Sequence, residues 1–431
     1  MKQIIIIALL FLGIESIKAQ ERRRLKDSIS IFFDDIKTAS KKNIRLWNKD
    51  LYGPMMIVNP KTREIFANES DTANTLKLNG GIYSGALPAR INIANTAINW
   101  NGKRWAMIML PLPEQKQNRI NLLAHESFHR IQPSLGFTLN NTENNHLDQK
   151  NGRIYLRLEL EALKKAIQAR SRGDQQQYLT DALTFRKYRH ALYSNSAETE
   201  NSLELNEGIA EFTGVIVSGR NKAQTKAFFL NGIDDFFKNP TFVRSFAYHT
   251  VPVYGYLLYR KNSDWNKKVT AKTDLTDVFI NEFAINIPAN LETKIDEISN
   301  RYNGAAIIDE ETVREEKTKA LIAEYKALFI DRPHFEIKFE KMNVSFDPRN
   351  IVPIDNKGTV YPTIRVTDLW GVLTVEKGAL MSPNWDRISI SNPVAIDGKK
   401  ISGDGWKLDL ADGYSVSKDE ATGNYRIVKN K

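Results

Sequence analysis

LLAHESFHRI, residues 122–131, places two of the chain's six histidines four positions apart. The apolar residues in and just before it recur with helical spacing and predict one buried stripe: Ile120, Leu123, Ala124, Phe128 and Ile131. A helix advances about 100° per residue, so His125 and His129 project from one face, where their rings can share a metal ion. Glu126 lies on the adjacent flank, within reach of a water molecule on that ion. The plain alternative is two histidines on a helix without an ion.

Composition narrows the kind of protein and the kind of metal site. The chain has 431 residues, 42% of them hydrophobic, which is enough for one large or two medium globular domains. It contains no cysteine, so only His, Asp and Glu can supply strong metal ligands. Ligands of these types favour a catalytic zinc site over a closed structural one.

The N-terminal segment MKQIIIIALLFLGIESIKAQ has the features of a secretory signal peptide, with Lys2 before an apolar run and Ala19 before the expected cut. We therefore expect residues 1–19 to be removed and the protein to be exported, either to the periplasm or to the medium. The apolar run is too short to span a bilayer, so an integral membrane protein is not expected. The net charge is +10, but the basic residues are scattered and predict no nucleic-acid partner.

The pattern of apolar residues changes along the chain and predicts an α+β fold. Alternating strand signals fill residues 51–112, with Asn-Gly pairs at Asn79-Gly80 and Asn101-Gly102 marking tight turns. Helical periodicity follows from about residue 117 to 284, and strand signals return from 334 onward. We expect a catalytic domain over residues 20–305, with a small twisted sheet before a mainly helical part. A linker helix is predicted over 306–333 and a β-rich C-terminal module over 334–431.

A second segment, LELNEGIAEF at residues 203–212, offers the third ligand that an open zinc site requires. Glu204, Glu207 and Glu211 are spaced to share one helical face, where three like charges repel unless a positive group compensates them. A metal ion held with the two histidines would supply that charge. Gly208 permits a close approach of this helix to a neighbouring one.

Other acidic residues and one histidine compete for roles at the site. Glu159 and Glu161, on a predicted helix between the two motifs, are rival third ligands. His146 and Asp148 lie in a polar segment after the first motif and either line the cleft or belong to a loop turn. The Asn-Glu-x-x-x-Glu pattern at residues 206–211 remains the better candidate for the third ligand.

Together the two motifs resemble those of the gluzincin branch of zinc metallopeptidases, which pair H-E-x-x-H with N-E-x-x-x-[DE] on a second helix. The stretch LNEGIA is also similar to the third-ligand segment of zinc aminopeptidases. The resemblance implies a zincin-like fold, one zinc ion and a peptide or protein substrate. It further implies that Glu207 is the third ligand and that Glu211 accepts a hydrogen bond from a ligand histidine.

The same resemblance predicts a mechanism of metal-assisted hydrolysis. Glu126 is expected to act as the general base, and a donor from a later helix to stabilise the oxyanion, with Tyr248, His249 and Tyr254 as the candidates. The strand RWAMIMLPLP, before the first motif, is expected at a sheet edge where an extended peptide can pair. The alternative function is an inactive zincin-like domain that serves as an extracytoplasmic binding or scaffold protein.

Overall fold

The computed structural model describes residues 2–89, 91–137, 142–347 and 350–430; in the first helix, side chains are described for residue 20 and from residue 22 onward. The predicted α+β class is confirmed. A six-stranded sheet lies in the N-terminal part, helices dominate the middle, and strands occupy the C-terminal part.

Eleven α-helices occur in the described ranges. In chain order they are α1 (Lys2–Lys42), α2 (Lys116–Ile131), α3 (Lys150–Gln168), α4 (Arg172–Leu192), α5 (Ser196–Leu203), α6 (Ile209–Val217), α7 (Lys222–Phe236), α8 (Ala247–Lys261), α9 (Leu275–Phe283), α10 (Leu291–Ser299) and α11 (Gly304–Lys326). A π turn, Glu204–Gly208, joins α5 to α6. Pro133 lies in the short 3-10 turn, Gln132–Leu135, that follows α2.

The N-terminal sheet has the strand order β3-β4-β2-β1-β6-β5. Its strands are β1 (Met55–Val58), β2 (Glu64–Ala67), β3 (Lys77–Asn79), β4 (Ile82–Ala86), β5 (Thr96–Trp100) and β6 (Lys103–Met109). Strand β6 pairs with β1 in parallel and with β5 in antiparallel fashion. The expectation that the strand before α2 forms an edge is therefore wrong: the preceding strand, β5, folds back in a hairpin and covers it.

Two tight turns follow from glycine placement. Gly80 and Gly81 have φ values of 65° and 81° and connect β3 to β4, while Asn101 and Gly102 have φ values of 43° and 77° and connect β5 to β6. Left-handed backbone at both central residues matches the twist of the flanking strands. Tight turns predicted at the two Asn-Gly pairs are confirmed, although the first has Gly80 and Gly81 at its centre, with Asn79 as the last residue of β3.

Helix α2 lies between this sheet and α6. All five residues of its predicted apolar stripe are buried, and the ring centroid of Phe128 lies 5.0 Å from that of Trp47. Alternate sheet residues such as Ile57 and Ile108 join the same core, whereas Met56 and Met107 pack in a second cluster on the opposite face. Both faces of the sheet are thus buried, and α2 packs on the face that carries Ile57 and Ile108.

Helix α1 continues without a break from Lys2 to Lys42. Ile29, Phe33 and Ile36 are buried in the main core and anchor its C-terminal half. The apolar side chains that predict a signal peptide at residues 1–19 lie outside the described ones, so that cleavage stays a prediction.

The C-terminal strands form two sheets that face each other. They are β7 (His334–Lys338), β8 (Asn343–Phe346), β9 (Val352–Ile354), β10 (Gly358–Tyr361), β11 (Ile364–Asp368), β12 (Gly371–Val375), β13 (Ala379–Met381), β14 (Arg387–Ser391), β15 (Pro393–Asp397), β16 (Lys400–Gly403), β17 (Trp406–Leu410), β18 (Tyr414–Lys418) and β19 (Tyr425–Lys429). The strand orders are β18-β19-β7-β14-β13-β10-β9 and β15-β16-β17-β12-β11-β8. Phe335 of one sheet contacts Trp406 of the other, with ring centroids 5.8 Å apart. This arrangement leaves β8 at an edge.

Helix α11 precedes the C-terminal sheets and packs on α3. Glu311 accepts hydrogen bonds from Arg153 at 2.7 Å and Arg157 at 2.8 Å. None of the helices in the described ranges combines the length and the apolar character that a membrane crossing needs.

Candidate metal centre

The first half of the site comes from α2, whose apolar stripe holds it in the core. The opposite side of α2 is not solvent-exposed: His125 and Glu126 are each only 4% exposed. His129 follows one turn later and is partly buried. Polar groups buried to this extent require partners. For the two histidines, the second helical segment, over residues 204–217, supplies carboxylate partners.

Two glycines bring that second segment close to its neighbours. A Cβ atom at Gly214 would lie 2.7 Å from the backbone oxygen and side-chain nitrogen of Asn121, so α6 can approach α2 only because no side chain intervenes. A Cβ atom at Gly208 would lie 2.7 Å from Val251, which shows that the close approach expected there is to α8. These contacts place Glu207 and Glu211 opposite the histidines.

Three ligand atoms converge at this point. The Nε2 atoms of His125 and His129 are 3.0 Å apart, and Glu207 Oε2 lies 3.4 Å and 3.2 Å from them, respectively. Ligands at about 2.0–2.1 Å from a tetrahedral ion are separated from one another by about 3.3 Å. The three side chains therefore form a group that could hold a metal ion, and His125, His129 and Glu207 are called the metal group below.

Hydrogen bonds on the far side of each imidazole decide which nitrogen is free. His125 Nδ1 lies 2.9 Å from Glu211 Oε2, and His129 Nδ1 lies 2.7 Å from Gln132 Oε1. Both partners are acceptors, and Gln132 is oriented by its donation to Asn206 O at 3.0 Å. Each neutral ring therefore carries its proton on Nδ1 and directs the lone pair of Nε2 at the centre. Lone pairs that face one another in this way favour a cation between them.

The charges around the centre also favour a cation. Burial opposes a charged imidazole, but hydrogen bonds with Glu207 and Glu211 outweigh it and raise the pKa of His125 well above its ordinary value. The pKa of His129 is raised in the same way by Glu207. Burial would raise the pKa of Glu207, but its hydrogen bonds with both histidines hold that pKa well below the usual range. The pocket thus stabilises positive charge, whether protons or a metal ion supply it.

Glu126 lies beside this group without joining it. Its carboxylate is buried, and Oε2 has no hydrogen-bond partner within the part of the chain that the structure describes. Burial raises the pKa of Glu126, a shift that the positive charge of His125 and His129 reduces. Glu126 lines a small cavity together with both histidines and Glu207. A carboxylate with one unpaired oxygen beside these three side chains is available to exchange a proton.

Among the three donor candidates on α8, only Tyr248 contacts the ligand group. Its hydroxyl donates to Glu207 Oε2 at 2.5 Å, and its ring stacks on that of His125 with centroids 5.4 Å apart. His249 lines an adjoining cavity, packs on Phe236, and has its pKa lowered to about 4 by burial.

Tyr254 lies in the core, away from the ligand atoms. Its hydroxyl donates to Glu159 at 3.0 Å, and its ring stacks on Phe279 with centroids 4.6 Å apart. Glu159 also pairs with Arg186 at 2.8 Å. Glu159 and Tyr254 therefore belong to one buried ion network, and Glu161 pairs with Lys164 at 3.0 Å instead. The structure brings neither rival ligand to the metal group.

Glu204 does not share a face with Glu207 and Glu211, and this part of the sequence interpretation is wrong. The π turn holds more residues than an α-helical turn, so residues three apart along it point in different directions. Glu204 instead accepts from Arg186 at 2.7 Å and 3.0 Å and from Thr250 at 2.6 Å. Its charge is compensated by an arginine and not by the metal group.

His146 and Asp148 hold a turn that leads into α3. His146 Nε2 contacts Glu200 at 2.8 Å, and His190 Nε2 contacts the other oxygen of that carboxylate at 3.0 Å. Asp148 accepts from the backbone N–H of Phe242 at 2.9 Å. Neither of the two lies in the metal group, which agrees with the loop-turn interpretation.

Several polar residues of the site were missed in the sequence. Gln132 binds His129, Asn121 donates to Glu211 at 2.8 Å, and Arg220 donates to Asn121 at 2.7 Å. The spacing of Gln132 and Asn121, three residues after His129 and four before His125, was an available signal, because such residues share a helical face. No local pattern indicates Arg220.

Chemically, the centre brings together three side chains of types that bind transition metals, two outer partners hydrogen-bonded to the histidines, and one carboxylate, Glu126, with an unpaired oxygen among the described residues. Imidazole nitrogens and a carboxylate oxygen are the ligands that open zinc sites use in proteins without cysteine. A comparison of the chain with protein families, with curated proteins and with solved structures gives no match.

Proposed function

We propose that this chain is a zinc-dependent metallopeptidase of the gluzincin type. One observation carries the proposal: two imidazole lone pairs and a carboxylate oxygen converge within 3.0–3.4 Å, next to a buried carboxylate, Glu126, that has an unpaired oxygen among the described residues. Zinc binding alone does not require Glu126, whereas hydrolysis does. Three protein ligands also leave one coordination position open for a substrate or water.

Each residue has a role in this proposal. When bound, zinc would act as a Lewis acid that polarises the scissile carbonyl and lowers the pKa of a water molecule. Glu126 accepts the proton of the attacking water and passes it to the leaving amine. Tyr248, whose hydroxyl lies beside Glu207, donates a hydrogen bond to the oxyanion. Glu211 and Gln132 keep the two imidazoles in the tautomer that binds the ion.

The substrate is expected to bind as an extended peptide along β5. This strand pairs only with β6 within the described ranges, so no strand there occupies its other edge. Thr96 and Ala97 at its start line the same cavity as His125 and Glu126. Addition of a peptide strand to this edge would align its backbone with the metal group.

Metal analysis followed by a cleavage assay tests the function. Purified protein is expected to contain one zinc ion that a chelator removes, and to cleave casein or a peptide library only when the ion is present. Glu126→Gln should keep the ion and reduce cleavage by about 10²- to 10⁴-fold. Zinc without any cleavage by the wild type would instead favour an inactive binding or scaffold protein.

We further propose that the enzyme acts outside the cytoplasm, after removal of residues 1–19. The mass of the protein recovered from the cell envelope or the medium should correspond to a chain that begins at Gln20. A cut there leaves the buried part of α1, from Ile29 onward, in place.

A further inference from the structure

A cavity of about 630 Å³ opens beside the metal group. Its polar end is formed by the side chains that surround the centre, and its walls are mostly apolar. The polar end comprises Glu207, Glu211, Tyr248 and His249, the apolar walls comprise Leu203, Phe228, Phe229, Ile233 and Phe346, and Asn239, Arg244 and Ser245 add further polar groups to the lining. A volume of this size lies within the range of about 300–1,000 Å³ that is usual for small-molecule sites.

One of these walls does not come from the helical part of the chain. Phe346 is the last residue of β8, the edge strand of a C-terminal sheet. Its ring packs edge-on against Tyr361, with centroids 4.6 Å apart, and lies 6.4 Å from Trp385. An aromatic ring held by two others has a defined orientation, so it forms a firm wall of the cavity.

Strand β8 is also attached directly to the catalytic part of the chain. The side-chain amide of Asn92 donates to Val344 O at 3.0 Å and to the side chain of Asn343. Asn92 lies in the segment that leads into β5, and Asn95 of the same segment lines the cavity around His125 and Glu126. The strand that carries Phe346 is therefore held on the segment that borders the metal group.

We infer that the C-terminal β region forms part of the substrate site, and that Phe346 determines how well the cavity accepts a bulky apolar side chain of the substrate. The inference rests on the proposed function in that it takes the metal group as the place where substrate is held. The apolar group enters between the phenylalanines of α7 and Phe346. Its burial against these rings contributes binding energy that a small side chain lacks.

Two metal-binding probes test this inference without peptide cleavage. Acetohydroxamate carries only a methyl group, whereas 3-phenylpropanohydroxamate carries the same chelating group and a phenyl ring. Calorimetric titration of the zinc-loaded protein gives the ratio of the two Kd values, from which differences in metal coordination cancel. The wild type is expected to prefer the phenyl compound by about 10- to 200-fold.

Variants of β8 and of the opposite edge strand provide the comparison. Phe346→Ala should reduce this preference by about 3- to 10-fold, and the milder Phe346→Leu should reduce it less. Val394→Ala, on the exposed β15 at the far edge of the same sheet, should leave it unchanged. Thermal unfolding of each variant verifies that it is folded.

The inference is overturned if both Phe346 variants keep the wild-type ratio within twofold, or if the wild type shows no preference for the phenyl compound. Its failure is distinct from failure of the proposed function. A lowered ratio in a protein that cleaves no peptide would support the shared cavity and contradict peptidase activity, whereas cleavage with an unchanged ratio would do the reverse.

Discussion

The imidazole Nδ1 of His125 and the carboxylate Oε2 of Glu211 lie 2.9 Å apart and connect α2 to α6. Because an ionised carboxylate only accepts, this contact fixes the ring proton on Nδ1 and leaves Nε2 free. Asn121 donates to the other oxygen of the same carboxylate at 2.8 Å. Burial would raise the pKa of Glu211, but the hydrogen bond with His125 lowers it, so the group stays charged.

Replacement of this carboxylate should weaken metal binding without removing a ligand. Glu211→Gln substitutes a neutral amide, a weaker acceptor, and is expected to reduce zinc affinity by about 10- to 100-fold. Competition with a chelator measures the affinity. The matched control is Glu161→Gln on α3, whose partner Lys164 lies 3.0 Å away and which should have no effect. Equal affinities in both variants would show that Glu211 does not orient His125.

Local sequence patterns were sufficient to predict where helices and turns occur, but not all of the contacts between them. The stripe on α2 and the hairpin glycines depend on neighbours a few residues apart, so their consequences could be predicted. The pairing of His125 and His129 is of this kind, since both lie on one helical turn. The strand order could not be predicted in this way, because whether β6 lies at an edge depends on where β5 folds.

The role of Glu204 illustrates what the sequence does not reveal. An α-helical spacing groups it with Glu207, but the π turn directs it to Arg186, which lies on α4. Whether a turn is α or π depends on tertiary packing around it. Phe346 is a similar case: more than 200 residues separate it from His125, and only the fold shows that both border neighbouring cavities.

The metal-free protein should lose stability as the pH rises above neutrality. The folded-state pKa of His125 and of His129 is raised above 6.5. Such groups stabilise the fold fully below their unfolded pKa, and this contribution is lost as the pH rises through the folded pKa. Because the pKa of Glu207 is lowered, this carboxylate changes the pH dependence of stability only below pH 4.5 and not above neutrality. Thermal unfolding in chelator between pH 6 and 9 measures the loss.

Excess zinc should change this pH dependence. The ion competes with protons for both rings, so the stabilisation that it provides grows as the pH rises. A His129→Gln variant in chelator should show a smaller pH dependence than the wild type. An unchanged pH profile in that variant would indicate that other groups account for it.

Substitution of two tyrosines of α8 should affect different properties, one the catalytic rate and the other the stability of the fold. Tyr248→Phe removes the hydroxyl beside Glu207 and keeps the ring that stacks on His125, so kcat/KM for a peptide should fall by about 10²- to 10³-fold with zinc content unchanged. Tyr254→Phe removes a hydrogen bond to buried Glu159, and should lower the free energy of unfolding by about 1 kcal/mol without changing kcat/KM. Equal effects of both changes on kcat/KM would contradict a direct role for Tyr248.

The buried ion network should be essential for stability and separate from metal binding. Arg186 is fully buried and pairs with Glu159 at 2.8 Å and Glu204 at 2.7 Å. Arg186→Ala leaves both carboxylates without this partner, and is expected to lower the free energy of unfolding by about 3–5 kcal/mol. The matched control is its neighbour Lys187, which is partly exposed and whose Nζ lies 3.6 Å from Asp277 Oδ1. Lys187→Ala should change the free energy of unfolding by about 0.5 kcal/mol or less.

Urea unfolding in chelator measures the stability of these two variants, and chelator competition under folded conditions measures their zinc affinity. Because Glu204 binds Arg186 and lies outside the metal group, Arg186→Ala should keep the zinc affinity of the wild type within a few-fold while the protein remains folded. A loss of affinity comparable to that of Glu211→Gln, in protein shown to be folded, would mean that the network positions Glu207 through the π turn.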